Sequence, residues 1–356
     1  MDDERGIHTR QEILSQSAVW KAALSDVLSK ETQLREFFQR KAFTEVIFTG
    51  CGSTYYLSLT AAAIFQALTG VRARALPASE LFLFPGLFLT KGAPILLVAV
   101  SRSGETTETL QAVQSFKKSY GEDVLAISCH EGSPLVGECS ISLVAKEAKE
   151  ASVVQTRSFS SMLLIAQLCA GIAAGRPDYC EQLKALPIHG ERVIKEQRRL
   201  IRELGGNEEI GKFVFLGSGP NYGLACEAML KMKEMSLSLS EAFHFLEFRH
   251  GPKSAINGKT LVVGLLSDSA RDWEIPVLEE ARAIGAKTLV LTEGGEKGAD
   301  YLVQLNSGLS ELARGVLYMP LLQLLAYHRA LLRGLDPDVP SHLDAVVKLE
   351  MEGVSR

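Results

Sequence analysis

The segment Ser101-Arg102-Ser103-Gly104-Glu105-Thr106 holds three hydroxyls, a glycine and an arginine within six residues. A helix-compatible stretch follows, so the free N–H groups of a helix start would meet those hydroxyls, the combination that cradles a phosphate dianion. An ordinary N-cap needs only one hydroxyl. A loop offering Ser101, Ser103 and Thr106 together points to phosphate. Ser53 and Thr54, just past the turn Gly50-Cys51-Gly52, would reach the same crevice.

A second group lies further along the chain. Glu227, Lys231 and Glu234 fall at i, i+4 and i+7, one stripe of a helix. Such a stripe is usually a solvated, salt-bridged face. The balance tilts with the next segment, Glu241 to Lys253, an aromatic-rich loop ending Arg249-His250-Gly251-Pro252-Lys253. There a Gly-Pro turn fixes the backbone and presents His250 rather than burying it. Beside the charged stripe, Leu224, Ala228, Met232 and Met235 form a core-facing one, on a helix expected from Tyr222 to about Leu239.

These groups need a scaffold, and the chain repeats one. The apolar run Glu45–Phe48 ends in Gly50-Cys51-Gly52, and Lys212–Leu216 ends in Gly217-Ser218-Gly219, 167 residues later. Pro94–Val100 before Ser101 matches Thr260–Leu266 before Ser267, at an offset of 166, and Val124–Ser128 pairs with Lys287–Thr292. In the first half strands are expected near 45–49, 95–100 and 124–128, with helices near 54–68 and 106–118. Unbroken apolar strands alternating with helices read as βαβ units, that is, α/β with mainly parallel, doubly wound sheets. Two such domains are expected at 43–175 and 209–335. A helical leader occupies 1–42, a helical connector 176–208 and a tail 336–356. In open parallel sheets ligands bind beyond the carboxyl ends of the strands, where the serine-rich loop falls. The second half's equivalent loop, Ser267-Asp268-Ser269-Ala270-Arg271-Asp272, carries two carboxylates and no glycine. The first domain therefore reads as the phosphate binder, and the second as the source of acid/base groups.

Other chemistries fit poorly. Tyr55 stands where a dinucleotide fingerprint needs its third glycine, and no G-x-x-x-x-G-K-[ST] occurs. The six cysteines form no C-x-x-C pair and no zinc-ligand spacing, so no metal or organic cofactor is expected and a reducing cytoplasm is the expected location. Lys+Arg 38 against Asp+Glu 42, net charge -4, gives no excess for a nucleic acid partner. No apolar run reaches the roughly 18 to 20 residues of a membrane span, and Met1-Asp2-Asp3-Glu4-Arg5 lacks the cationic start of a secretory signal.

Four motifs in order, G-C-G-S-T at Gly50, S-x-S-G-E-T at Ser101, L-K-x-K-E at Leu230–Glu234 and H-G-P at His250, resemble the sugar isomerase (SIS) domain family in its tandem form. That form includes the isomerase half of glucosamine-6-phosphate synthase. The leader from His8 to Trp20 and the run Phe248–Ser254 are similar to a group of tagatose-6-phosphate ketose/aldose isomerases, some of them galactosamine-6-phosphate deaminases. The resemblance implies phosphate contacts from Ser101, Arg102, Ser103, Thr106, Ser53 and Thr54, and sugar contacts from Gly52, Val153, Gln155 and Thr156. In the segment Val153–Phe159, Gln155 replaces the family's serine. It further implies that Glu234 shuttles the proton, with Lys231 beside it. His250 would open the sugar ring, reaching across from a neighbouring subunit of a homodimer. The synthase's tail lysine is replaced by Ala345, with Lys348 three residues away.

The expected substrate is a hexose or hexosamine 6-phosphate. An amino sugar (galactosamine- or glucosamine-6-phosphate) would lose ammonia as it becomes a ketose phosphate. A neutral sugar would simply isomerise, as in a tagatose-6-phosphate-type enzyme. The roughly 42 residues before the first domain are too few for a glutaminase. The rival from another class is a non-catalytic phosphosugar sensor, which would have no use for an acid/base pair at Glu234 and His250.

Overall fold

A computed structural model describes residues 5–295 and 298–349; the first residues of the leader and residues 350–356 of the tail lie outside the described residues. Three helices come first, α1 (Ile7–Leu14), α2 (Gln16–Leu28) and α3 (Glu31–Arg40). The first sheet follows as β1 (Glu45–Gly50), α4 (Ser53–Thr69), β2 (Arg72–Pro77), α5 (Ala78–Leu83), α6 (Pro85–Phe88), β3 (Ile95–Ser101), α7 (Thr107–Ser119), β4 (Val124–Ser128), α8 (Pro134–Glu138) and β5 (Ile141–Val144). Helices α9 (Arg157–Ala173) and α10 (Pro177–Gly205) lead to the second half. That half runs β6 (Lys212–Gly217), α11 (Asn221–Ser236), β7 (Leu239–Phe243), α12 (Phe245–Phe248), β8 (Thr260–Leu265), α13 (Arg271–Ala283), β9 (Lys287–Thr292), β10 (Tyr301–Gln304), α14 (Glu311–Arg314) and α15 (Met319–Leu332).

Each sheet has five parallel strands, in the orders β2-β1-β3-β4-β5 and β10-β9-β8-β6-β7. Read from β7, the second is the first again. The three matched apolar runs are the three inner strands of each sheet. They are apolar without alternation because helices cover both faces; β3, β4 and β8 are buried along their whole length.

Two details differ from the sequence reading. The helix starting near Tyr222 ends at Ser236, where Leu237 takes a left-handed conformation (φ 50°). The start of the expected aromatic loop is β7, an edge strand whose Leu239 is exposed and Ser240 buried. Bonded to β6 alone, it needs no unbroken apolar run.

The two domains meet along α4 and α11, the first helix of each. A Cβ on Gly223 would lie 2.4 Å from Thr60 Oγ1 and 2.5 Å from the Tyr56 carbonyl, so only glycine permits this approach. Thr60 Oγ1 donates to the Pro220 carbonyl at 2.8 Å. The expected stripe Leu224, Ala228, Met232 and Met235 is fully buried. It belongs to a single core that also holds Phe48, Leu57, Leu163 and Leu325, and so joins the inner faces of both sheets. The outer faces have separate cores, around Phe116 and around Phe245.

Candidate active site

The strand ends and helix starts of the first sheet form one wall. After β1 the chain turns through Gly52 (φ 54°), and Ser53 opens α4. The Thr54 hydroxyl accepts from the Cys51 N–H and donates to the Cys51 carbonyl, both at 2.9 Å, so it ties the turn itself. Ser53, itself buried, is left to face α11.

After β3, Ser101 Oγ accepts the Gly104 N–H at 3.1 Å, and Ser103 Oγ accepts the Glu105 N–H at 3.1 Å. Gly104 sits at φ 68°, with Ser133 Oγ 2.1 Å from where a Cβ would be. A side chain there is doubly excluded. Thr106 precedes the first turn of α7, yet its hydroxyl makes no cap bond and lies 3.4 Å from Ser101 Oγ. The hydroxyls of Ser101, Ser103 and Thr106 thus gather at a 13-residue helix's N-terminus, the geometry expected of an anion cradle.

Arg102, the next residue of the loop, is tied down at both ends of its guanidinium. Its Nη1 lies 3.2 Å from Glu150 Oε2, and its Nη2 donates to the Ala345 carbonyl at 2.9 Å. The Glu150 side chain has no exposed surface. Its carboxylate also accepts the Thr156 N–H at 2.7 Å, the Thr156 hydroxyl at 2.9 Å, and the N–H and hydroxyl of Ser158 at 3.0 and 2.5 Å. One carboxylate therefore caps α9, fixes Thr156 and holds Arg102. The sequence reading missed it, since nothing local marks Glu150 as the partner of a residue 48 positions away.

The remaining loop residues are held from outside. The Val153 N–H donates to the Asp338 carbonyl at 3.2 Å. The Gln323 amide donates to the Thr156 carbonyl at 3.1 Å. Gln155 is half-buried, with its Oε1 buried and unpartnered. In the tail, Lys348 forms an ion pair with Glu105 at 2.8 Å, on the phosphate loop.

The other wall is α11. Lys231 is fully buried and touches Glu234 Oε2, lies 3.4 Å from Glu227 Oε1 and donates to Ser53 Oγ at 3.1 Å. Burial alone would depress the lysine; the two carboxylates outweigh it and leave its pKa raised. Glu227 is also fully buried, and no hydrogen-bond donor of good geometry reaches either oxygen. Burial pushes its pKa up to about 8, against the pull of Lys231. Glu234 keeps 18% of its side chain exposed, the only member of the three open to the crevice. The i, i+4, i+7 stripe is thus a buried triad at the domain junction.

His250 is exposed, and no contact joins it to Glu234 within the chain. Its loop is rigidly backed: Arg249 and Lys253 pair with Glu280 at 2.7 and 3.1 Å. Among the described residues no group of His, Cys, Asp or Glu could hold a metal ion, and no helix is long and apolar enough to cross a membrane.

Two repeated parallel sheets meet over a hydroxyl-lined helix start and a buried carboxylate–lysine–carboxylate triad, in a tandem α/β fold. Residues 41–170 match the model of the SIS domain. The chain is 30% identical over 311 residues to the glutamine–fructose-6-phosphate aminotransferase [isomerizing] of Methanothermobacter thermautotrophicus, covering 86% of this chain and 52% of that protein. It therefore spans about half the length of that relative. Among solved structures, the glucosamine-6-phosphate deaminase of Thermotoga maritima is 31% identical, with a TM-score of 0.77 over 92% of this chain and 99% of that one. The tagatose-6-phosphate ketose/aldose isomerase of Escherichia coli is 22% identical, with a TM-score of 0.85 over 94% and 95%, and shares the fold. The chain belongs to the SIS domain family.

Proposed function

We propose that the chain is a phosphosugar isomerase that deaminates a hexosamine 6-phosphate to the ketose 6-phosphate and ammonia. The observation that carries the reading is the contact between Lys231 and Ser53. It brings an acid/base triad on one domain to the rim of an anion cradle on the other.

The phosphate docks on Ser101, Ser103, Thr106 and the start of α7, with Arg102 held behind them by Glu150. Ser53 lies at the junction with the triad, and Gly52, Val153, Gln155 and Thr156 border the sugar. Binding energy from the phosphate, remote from the reacting carbons, orients C1 and C2. Glu234 takes the C2 proton to give an enolamine, O1 gains a proton as the amine gives one up, and Glu234 returns its proton to C1; charged Lys231 beside it stabilises the negative charge developing at O1. The resulting C2 imine takes up water and releases ammonia, leaving the ketose. Thr54 supports this indirectly, by fixing the turn that presents Ser53.

His250 opens the ring by moving a proton between O5 and O1. Its exposure, with no hydrogen bond or ion pair to Glu234 within the chain, supports delivery into the site of a second subunit in a homodimer. Protonated Glu227 would keep a second negative charge away from Lys231 near neutral pH. The likeness to a Thermotoga maritima deaminase over nearly the full length of both chains supports the amino-sugar reaction over simple isomerisation.

The test is a panel of hexose and hexosamine 6-phosphates with ammonia and ketose followed separately. Ammonia and ketose should appear in equal amounts from one hexosamine phosphate. Ketose from neutral aldoses with no ammonia from any amino sugar would make it an isomerase alone, and no turnover of any would favour a sensor.

A further inference from the structure

A groove of about 1740 Å³ runs between α1, α10 and α15, apart from the crevice where the two domains meet. Its charged lining is one-sided: Arg10, Arg198, Arg199 and Arg202 against a single carboxylate, Glu203, already paired with Arg199 at 2.9 Å. Arg10, Arg198 and Arg202 form no ion pair with any carboxylate among the described residues and are exposed. On a chain of net charge -4, uncompensated arginines from two distant helices make a local positive field that a bound anion would relieve.

Two of the arginines, Arg10 and Arg202, act on one residue. His328 lies half-buried on the groove floor, and its pKa is pushed down to about 4 by burial and by the nearby charges of Arg202 and Arg10. It is therefore neutral at pH 7 and adds polar nitrogens without adding charge. Leu324, Leu331 and Tyr327 complete an apolar floor. Paired guanidinium groups over a partly apolar surface suit a compact, multiply charged phosphate on an organic body.

Helix α1 has two faces, and both are engaged. Ile7, Arg10, Gln11 and Leu14 face the groove. Thr9, Glu12 and Ile13 are buried on the other side. Glu12 accepts the Ala151 N–H at 2.6 Å and touches the Ser152 hydroxyl, next to Glu150 in the active-site loop. Thr9 is bonded by the Asp338 carboxylate at 2.7 and 2.6 Å, while the Asp338 carbonyl accepts from Val153. One eight-residue helix thus lines the groove and holds the loop that positions Arg102 and Thr156.

We propose that this groove is a second site, for a phosphate-bearing ligand, and that α1 conveys its occupancy to the loop at residues 150–156. The ligand bridges Arg10 and Arg202, drawing α1 toward α10, and the shift reaches the loop through Glu12. This coupling makes the site regulatory, and by linkage substrate must change the affinity of the groove in turn.

Calorimetric titration of the full chain with inorganic pyrophosphate tests the site without using turnover. Wild type should bind two per chain, one in the phosphate loop and one in the groove. Arg10→Ala/Arg202→Ala should keep only the loop site, and Ser101→Ala/Ser103→Ala only the groove site. A wild type that binds no more pyrophosphate than Arg10→Ala/Arg202→Ala overturns the proposal. So does a change of oligomeric state in that variant with both sites intact, which would make the groove a contact between copies. Coupling is read separately: pyrophosphate bound in the groove of the loop variant should change hydrogen exchange at residues 150–156, and protection unchanged there would remove the regulatory half. If the groove binds while the chain turns over no sugar phosphate, the site stands and the enzymatic reading falls.

Discussion

Arg102 and Asp268 stand at the same place in the two halves, each one residue past a matched serine, and each is held by a partner of opposite charge. Arg102 Nη1 meets Glu150 at 3.2 Å; Asp268 meets the Arg314 guanidinium at 2.8 and 2.5 Å. Both partners come from the segment between the last strand of their sheet and the long helix after it. The turn is shared as well, since Ser267 Oγ accepts the Ala270 N–H at 3.0 Å as Ser101 Oγ accepts that of Gly104 at 3.1 Å. In the second half, however, Glu274 accepts from the N–H and hydroxyl of Ser267 at 2.8 and 3.1 Å. A protein carboxylate there takes up the donors that an anion would use. The scaffold was kept twice; in the first half Ser101 meets Thr106 instead of a carboxylate, and the Thr107 N–H at the start of α7 donates to the Val347 carbonyl of the tail at 3.4 Å.

Asp268→Asn should therefore destabilise without touching substrate. It strips the main counter-ion from Arg314, whose side chain is 1% exposed. Breaking a buried ion pair costs about 3 to 5 kcal/mol, and the 48% exposure of Asp268 places this variant near or below the lower figure. Thermal melts should show the loss while KM stays within error. Glu150→Gln should instead lower stability and raise KM together, because the same carboxylate fixes Arg102 and Thr156. A raised KM in Asp268→Asn would place substrate in the second half.

Thr106→Val tests the cradle with little structural cost. The valine keeps the threonine's shape, and the lost hydroxyl caps nothing. A hydrogen bond to a charged group contributes about 1.5 to 3 kcal/mol, so kcat/KM should fall by roughly one to two orders of magnitude with an unchanged melting temperature. Unchanged kinetics would remove the phosphate from this loop.

The inner strands were legible in sequence because burial on both faces leaves unbroken apolar runs such as Ile95–Val100. The edges were not. In β2, Arg72-Ala73-Arg74-Ala75 is half-exposed, and Arg74 pairs with Glu45 at 2.8 Å; this pattern reads as surface loop unless its neighbour is known. The candidate site divides the same way. Hydroxyl spacing singled out the loop before α7 and helical spacing the stripe that is buried on α11, whereas the positions of Glu12 and Glu150 depend on loops brought together only by folding. That Arg102 points to Glu150, and that Thr54 is used within its own turn, likewise depend on geometry that no local pattern carries.

Glu227→Gln should make the melting temperature rise relative to wild type as pH increases. Below its ordinary value of 4.5, the carboxyl is neutral in the folded and unfolded chain alike. Between 4.5 and about 8 the unfolded chain has released the proton that the buried group retains. The folded state then binds more protons, so its stability declines as pH rises through this window. Glutamine has no proton to lose. The gap between variant and wild type should widen from about 4.5 to about 8 and level off above; a gap independent of pH would mean Glu227 is ionised throughout.

Mixing two inactive variants tests whether the site is shared. Glu234→Gln removes the proton shuttle but keeps charge-free hydrogen bonding, so it should bind sugar phosphate and not turn it over. His250→Ala removes a side chain that is exposed in the single chain, so folding should survive. If His250 serves the partner's site, a mixed dimer places both lesions in one site and leaves the other intact. Unfolding and refolding the two together should then restore part of wild-type turnover, while each refolded alone stays inactive. No recovery, with mixed dimers demonstrated by differently tagged chains, would put His250 and Glu234 to work within the same subunit or leave His250 outside the reaction.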